Sequence, residues 1–172
     1  QRFKTGCCNM SKPHRIGIIG FGRMGRGFVS VMQQSPLWEI AAICDAHAGA
    51  RQLAAQTVPA ARVTDDPDSI FDDPTIDVVG LFTLADARPA QIRKALAANK
   101  HILAEKPIAA DVKTEWELVH EIEASDRFVT VNIFNRNAWY HKEIQAFIGR
   151  DRRSGDHPRL PHIPRPHAHR GP

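Results

Sequence analysis

The chain has 172 residues, 42% of them hydrophobic and 24% charged, which is the composition of one ordinary globular domain. Its last 24 residues contain six Arg and two Asp, and these account for the whole formal net charge of +4. Residues 1–148 are therefore neutral overall, which argues against a nucleic-acid partner, and no apolar run is long enough to predict a membrane span.

Short apolar runs alternate with amphipathic segments from residue 14 onward. The strands predicted from the apolar runs are RIGIIG (15–20), WEIAAICD (38–45), ARVT (61–64), IDVVGLFT (76–83), KHILAE (100–105) and RFVTVNIF (127–134). The helices predicted between and after them are 24–34, 49–57, 66–73 (a short turn), 88–99, 111–125 and 138–148. Strict alternation with short connections predicts an α/β fold, a doubly wound parallel sheet of about six strands.

Apolar side chains recur at helical spacing in two of these predicted helices. The first helix carries Met24, Phe28, Val31 and Met32, and the helix over 111–125 carries Trp116, Val119 and Ile122. We expect these residues to mark the faces that pack on the sheet.

A glycine motif joins the first predicted strand to the first helix. Gly20-Phe21-Gly22-Arg23-Met24-Gly25 has the G-x-G-x-x-G pattern, and Asp45 follows twenty residues after its last glycine. Gly20 permits a tight turn, Gly22 allows the backbone to approach a pyrophosphate, and Gly25 allows the helix to pack closely on the strand. The helix N-terminus would bind the phosphates and Asp45 the adenosine ribose. The motif predicts a dinucleotide site of the Rossmann type.

Two other interpretations of this motif remain open, and so does the choice between NAD and NADP. A glycine-rich turn with a capping Asp would explain the same letters, and a methyltransferase also pairs a glycine loop with an acidic residue. A methyltransferase usually has an antiparallel last strand, which the alternation disfavours. Asp45 favours NAD over NADP because its charge repels a 2′-phosphate, whereas Arg51 leaves NADP possible.

A second motif, HILAEKPIA, follows the fifth predicted strand. Ligands of doubly wound sheets bind beyond the carboxyl ends of the strands, so we expect Glu105, Lys106 and Pro107 to point into the cleft. A lysine there polarises a carbonyl or exchanges a proton with a hydroxyl, and desolvation would lower its pKa. The alternative is a surface Lys106 paired with Glu105.

From about Arg15 to Ile148 the chain resembles the glucose–fructose oxidoreductase, inositol dehydrogenase and MocA-like family. The resemblance rests on GIIGFGRMG, IDVVGLFT, KALAANKHILAEKPIA and NRNAWYHKEIQAFI, and Glu-Lys-Pro is its most specific mark. It implies an NAD(P)-dependent oxidoreductase acting on a sugar, cyclitol or similar polyol. Thr83, Leu84, Glu105 and Lys106 would then line the nicotinamide end of the cofactor site, with Lys106 as the catalytic residue and Lys106–Pro107 open to a cis peptide.

The chain also departs from that family. After the fourth strand the family usually has Thr-Pro-Asn and, three residues later, His, whereas this chain reads Thr83-Leu84-Ala85-Asp86-Ala87-Arg88. Only the threonine is kept, so the family's Asn and His contacts do not transfer. Arg136 matches a family arginine near the cleft, although an arginine after a strand is as often a solvated ion-pair former.

The three cysteines Cys7, Cys8 and Cys44 fit neither a disulfide framework nor a zinc spacing. We therefore expect no metal site and a reducing, cytoplasmic compartment, with Cys44 as a small buried residue.

The two ends of the chain look unlike the middle. We expect residues 1–11 to be a disordered leader, residues 12–148 to be the dinucleotide-binding domain, and residues 149–172 to be a disordered tail. The tail has four His, five Pro and no Lys, which suits neither a basic arm nor a metal site. It is typical of a G+C-rich gene read out of frame.

The resemblance implies that an α+β substrate domain, which also forms the oligomer interface, normally follows residue 148. The tail would replace it, so the sequence predicts cofactor binding with little turnover of its own, and a homo-oligomer only for a full-length form. A non-catalytic NAD-binding or redox-sensing module is the alternative.

Overall fold

The computed structural model describes residues 12–133, 140, 141 and 143–147. Its strands are β1 (His14–Ile19), β2 (Trp38–Cys44), β3 (Arg62–Thr64), β4 (Val78–Leu81), β5 (His101–Ala104) and β6 (Val129–Val131). Its helices are α1 (Arg23–Met32), α2 (Ala48–Thr57), α3 (Asp68–Phe71), α4 (Arg88–Ala97) and α5 (Val112–Glu123). Every strand predicted from an apolar run is present, and β6 is shorter than its run because only 129–131 pair with β5.

The six strands form one sheet in the order β3-β2-β1-β4-β5-β6, and all their pairings are parallel. This confirms the doubly wound α/β fold. Because β6 runs parallel to β5, the described sheet lacks the antiparallel last strand that a methyltransferase would usually have. The strand order reverses direction between β1 and β4, and ligands of such sheets bind at this switch point.

The sheet is covered on both faces by helices. One core contains Val29 and Met32 of α1 and Ala54 of α2, packed on one face of the sheet. The other core contains residues of α3, α4 and α5, among them Ile92 and Leu118, packed on the opposite face. The near-continuous apolar strands follow from this two-sided burial, since a strand covered on both faces has no polar side.

Two predicted helix faces are shifted in the structure. On α1 the buried residues are Gly25, Val29 and Met32, whereas Val31 is 68% exposed. On α5 the fully buried residue is Leu118, and Trp116 is 64% exposed. The predicted faces are nevertheless right in part, because Met32 is buried and Phe28, Val119 and Ile122 are partly buried against the two cores.

The chain divides into two compact units, Gln1–Ile133 and Phe134–Pro172. In the second unit, residues 140, 141 and 143–147 are helical, within the last helix predicted from the sequence. The predicted leader over 1–11, the predicted tail over 149–172 and Arg136 lie outside the described residues. Within the part of the chain that is described, no helix is both long and apolar enough to cross a membrane.

Candidate functional site

The register of the sheet brings the predicted site residues to one edge. Ile19 pairs with Cys44 and Leu81, Leu81 pairs with Ala104, and Ala104 pairs with Val131. The residues that follow these strand ends are therefore neighbours along the carboxyl edge; they are Gly20, Asp45, Phe82, Glu105 and Asn132.

The glycine loop is shaped by two positions that admit no side chain. Gly20 has φ +95°, and a Cβ there would lie 2.7 Å from the carbonyl oxygen of Phe82. A Cβ on Gly25 would overlap the Gly20 carbonyl oxygen. These two glycines let the chain turn tightly out of β1 and let α1 begin against that turn.

The third glycine of the motif faces open space. Gly22 is the N-cap of α1, and a Cβ built there meets no atom within 4 Å. No side chain caps the helix, and its first turn has no acidic residue. That turn instead carries the exposed Arg23 and Met24, followed by Arg26. Positive side chains at a helix N-terminus oppose the helix dipole unless an anion binds there, so this end suits a pyrophosphate.

Asp45 ties the loop to the end of β2. Its carboxylate accepts hydrogen bonds from the backbone N–H of Phe21 at 2.7 Å and of His47 at 2.8 Å, one on each oxygen. Each carboxylate oxygen has two lone pairs, so both oxygens keep one for a ribose hydroxyl. The side chain is half-buried and lies beside the loop that it holds.

Thr83 and Leu84 form the connection after β4. The Thr83 hydroxyl lies 2.5 Å from the Gln91 side-chain oxygen, to which it donates a hydrogen bond. Leu84 is 77% exposed, an unusual state for a leucine beside a buried strand end. Leu84 therefore offers an apolar surface at the edge where ligands of this fold bind.

Glu105 and Lys106 have different environments although they are adjacent. Glu105, which was expected to point into the cleft, is only 6% exposed, so most of its side chain is shielded from solvent. Its carboxylate accepts hydrogen bonds from the Asn132 amide and, at 3.2 Å, from the Lys106 backbone N–H. Because its carboxylate is held by these groups, Glu105 supports the turn from within the fold.

The Lys106 side chain is exposed, and the Lys106–Pro107 peptide is cis. Among the described residues, the ion pairs do not include one between Lys106 and Glu105. The alternative of a surface lysine paired with Glu105 is therefore not observed in this part of the chain. Lys106 thus has an exposed side chain two residues after the carboxyl end of β5.

Arg88 is a functional candidate that sequence reasoning did not identify. It is 3% exposed, and its guanidinium donates hydrogen bonds to the carbonyl oxygens of Thr83 and Pro107. Burial lowers its pKa, and the nearby charges of Glu105 and Asp86 counteract this. Arg88 therefore fastens the connection after β4 to the turn that carries Lys106.

A signal for Arg88 was present in the sequence. It stands where the resembled family usually has His, three residues after the family's Asn position. Asn132 was also missed, because an asparagine at the end of a short strand has no distinctive pattern. Among the described residues, no group of His, Cys, Asp and Glu side chains could hold a metal ion.

Comparison with known proteins gives the same fold. Two inositol 2-dehydrogenases, from Rhodococcus jostii and Acidothermus cellulolyticus, are 27% and 30% identical over 80% and 92% of the chain. The chain spans 38% and 45% of their lengths. A 3-ketoreductase from Actinomadura kijaniata, solved in complex with NADP, superposes with a TM-score of 0.71 at 20% identity, covering 80% of this chain and 42% of that one.

A family model, described as an oxidoreductase family with an NAD-binding Rossmann fold, matches residues 14–133. That range includes every strand of the sheet, the glycine loop, Asp45 and the Glu-Lys-Pro turn. The chain therefore belongs to the GFO_IDH_MocA oxidoreductase family.

Proposed function

We propose that this chain binds NAD on its glycine loop and serves hydride transfer to or from a sugar, cyclitol or similar polyol. One observation carries the binding half of this proposal. The loop has space at Gly22 where a side chain would otherwise project, beside an uncapped helix end that bears Arg23 and Arg26. Backbone N–H groups and arginines around an open space are suited to a pyrophosphate.

The adenosine end of the cofactor would lie against Asp45. Its two oxygens each keep a lone pair after bonding to Phe21 and His47, which matches a ribose with two neighbouring hydroxyls. The resulting contact is a charge-assisted hydrogen bond on each side.

The polyol half of the proposal rests on the Glu-Lys-Pro turn and on the two inositol 2-dehydrogenases. When bound, the nicotinamide supplies or accepts the hydride. Lys106 would carry the proton of the reaction: its ammonium would donate a proton to the substrate oxygen in the reduction, and its neutral amine would accept the hydroxyl proton in the oxidation. Leu84 and Thr83 would form the wall opposite, and Glu105 and Arg88 would hold Lys106 in register from below.

Binding is tested first, by calorimetric titration of the chain with NADH. We expect wild type to bind and Gly22→Ala to lose at least tenfold in affinity, because the added methyl group enters the open space at the loop. Gly27→Ala is the matched control: it also adds a methyl group that meets no atom within 4 Å, but on the surface of α1. Equal affinities for wild type and both variants would contradict the proposed site.

Turnover is tested with NAD and a panel of polyols that includes myo-inositol. Lys106→Met is expected to abolish turnover while its NADH affinity stays within twofold of wild type. Oxidation of any polyol would exclude a non-catalytic NAD-binding module, whereas NADH binding without turnover would support only the binding half of the proposal.

A further inference from the structure

Arg51 stands beside the proposed ribose site, yet its guanidinium is held by protein groups. It lies in α2, and one of its terminal nitrogens donates to the carbonyl oxygens of Asp45 and Ala46 at 3.0 and 2.8 Å. Its other terminal nitrogen lies 3.4 Å from a carboxylate oxygen of Asp65. Both nitrogens are therefore engaged directly behind the carboxylate that would bind the ribose.

The sheet places Asp65 next to Asp45. Cys44 and Thr64 are paired residues at the ends of β2 and β3, and the Asp45 N–H donates to the Thr64 carbonyl oxygen at 3.2 Å. Asp65 and Asp66, both exposed, follow Thr64. Three carboxylates thus lie near this corner of the sheet, and Arg51 forms an ion pair with one of them, Asp65.

Buried Cys44 responds to this accumulation of negative charge. Its pKa is raised to about 11, first by burial and then by the charges of Asp45, Asp66 and Asp65, with Arg51 acting in the opposite direction. The three carboxylates and Arg51 thus act on Cys44 in opposite directions, and burial is the larger cause of its raised pKa.

NADP differs from NAD by a phosphate on the 2′ oxygen of the adenosine ribose. A site that accepts it needs a cation free to pair with that phosphate, usually an arginine near the end of the second strand. Arg51 is near the end of the second strand, but one of its nitrogens is bonded to the Asp45 and Ala46 carbonyl oxygens and the other is paired with Asp65. The nitrogen paired with Asp65 could bind the phosphate only by giving up that pair and bringing the phosphate close to the Asp65 carboxylate.

We propose that Asp65 is a specificity-determining residue: by holding Arg51 away from the ribose, it makes the glycine-loop site select NAD over NADP. This inference rests on the proposed function. Asp45 supplies direct repulsion of the phosphate, and Asp65 removes the cation that would otherwise compensate for it.

The expected size of the effect is moderate, because Asp65 is largely exposed and its ion pair is screened by solvent. Releasing Arg51 and removing one negative charge should together tighten NADPH binding by about fivefold or more. NADH carries no 2′-phosphate, so its affinity should change by less than twofold.

The experiment measures dissociation constants of NADH and NADPH by calorimetry for wild type, Asp65→Asn and Asp66→Asn. Asp66→Asn is the matched control, because it removes the same charge one residue further along the chain. Asp66 has no ion pair with Arg51 among the described contacts. We expect wild type to prefer NADH, Asp65→Asn to reduce that preference at least fivefold, and Asp66→Asn to change it by less than twofold. In Arg51→Ala/Asp65→Asn, the gain in NADPH affinity should disappear.

Each other outcome overturns the inference. Equal gains for both single variants would mean that the local field, not the hold on Arg51, sets the preference. If wild type binds NADH and NADPH with equal affinity, the proposed dinucleotide site still stands, but the proposed specificity is wrong. If the folded wild-type chain binds neither NADH nor NADPH, and neither cofactor changes its melting temperature, the proposed function and this inference are overturned together.

Discussion

The two halves of the sheet present their carboxyl ends in different ways. Around β1 and β2 the carboxyl edge is formed by backbone groups. The chain turns at Gly20, Gly25 allows α1 to begin against that turn, and Asp45 accepts hydrogen bonds from backbone N–H groups. Around β4, β5 and β6 the edge is held by buried polar side chains, with Arg88 bound to carbonyl oxygens and Glu105 bound by Asn132.

The difference concerns where the supporting groups lie in the chain. In the first half the glycines are at most five residues apart and each acts by lacking a side chain, and Asp45 joins them from 24 residues beyond Phe21. In the second half the partners are 19 residues apart for Arg88 and Pro107 and 27 apart for Asn132 and Glu105. A local motif can specify the first arrangement, whereas the second depends on the packing of three separate strands.

The largest expected effect is in the backbone-built half. Gly25→Ala should lower the free energy of unfolding by about 3 kcal/mol or more, because the new Cβ would overlap the Gly20 carbonyl oxygen, which cannot move without distorting the loop. Urea denaturation measures the change. Gly49→Ala is its control, since a Cβ there meets nothing within 4 Å. Similar stabilities for the two variants would show that the loop is more adaptable than the structure indicates.

In the other half, Arg88→Met should lower the free energy of unfolding by about 3 kcal/mol, because it leaves two carbonyl oxygens unbonded and Glu105 without its nearby cation. Arg88→Lys keeps the charge but cannot span both oxygens, so it should recover only part of the loss. Urea denaturation again measures both changes.

The control for Arg88 is Arg93→Met, on the surface of the same helix. Arg93 pairs with Glu121 and Glu117 on the surface, where its side chain is 41% exposed, so its removal should change stability little. If Arg88→Met were as mild as Arg93→Met, the second half would not depend on its buried cation, and the contrast between the halves would fail.

The sequence predicted much of the fold because its signals are local. Apolar runs bounded by Gly, Pro and Asp indicated all six strands, and their alternation with helices indicated a parallel sheet. The helical spacing was wrong about Trp116 and Val31, which were expected to pack on the sheet. Both are exposed, because no neighbouring element among the described residues covers that side of either helix.

For the candidate site, the glycine positions could be assigned conformational roles from the motif alone, and the binding roles of Asp45 and Lys106 stay predictions. Arg88 could not be assigned from the motif. An arginine at the first position of a helix is typical of a surface residue, and only the proximity of the β4 and β5 loop carbonyls makes burial favourable. The burial of Glu105 could not be assigned from a local pattern either, because its partner Asn132 lies 27 residues away in the chain.

A pH experiment sharpens the electrostatic side of the comparison. The pKa of Cys44 is raised to about 11 in the folded chain, from an ordinary value of 9.0. The folded state therefore keeps a proton that the unfolded state releases, so stability is full below pH 9 and falls as the pH rises toward 11. The contribution of Cys44 to this loss should be about 1–2 kcal/mol between pH 8 and 10.5.

Cys44→Ala tests this assignment, because alanine fills a similar buried position but has no proton to lose. Its free energy of unfolding should fall less steeply with alkaline pH than that of wild type, while lysines and the other cysteines titrate alike in both. Parallel pH profiles for the two proteins would contradict a raised Cys44 pKa in the folded chain.

The smallest expected effect concerns the second left-handed residue of the unit. Asn99 has φ 63° and follows the last turn of α4, a position that glycine occupies more readily than any other residue. Asn99→Gly should raise the free energy of unfolding by a few tenths of a kcal/mol, and Asn99→Ala should lower it by about 1 kcal/mol. Thermal and urea unfolding of the two variants measure these changes.

Ala98→Gly supplies the matched control, because Ala98 has φ −80° and glycine has no steric advantage there. It should lower stability by about 0.5–1 kcal/mol, opposite in sign to Asn99→Gly. If both glycine substitutions were destabilising, the Asn99 side chain rather than its backbone angle would end the helix. A gain in stability for Asn99→Gly and a loss for Ala98→Gly would instead show that the second half, next to β5, also relies on backbone conformation. Unlike the glycine loop, it does so at a position where asparagine is tolerated. Gly20 allows no such exchange, since a Cβ there would meet the Phe82 carbonyl oxygen at 2.7 Å.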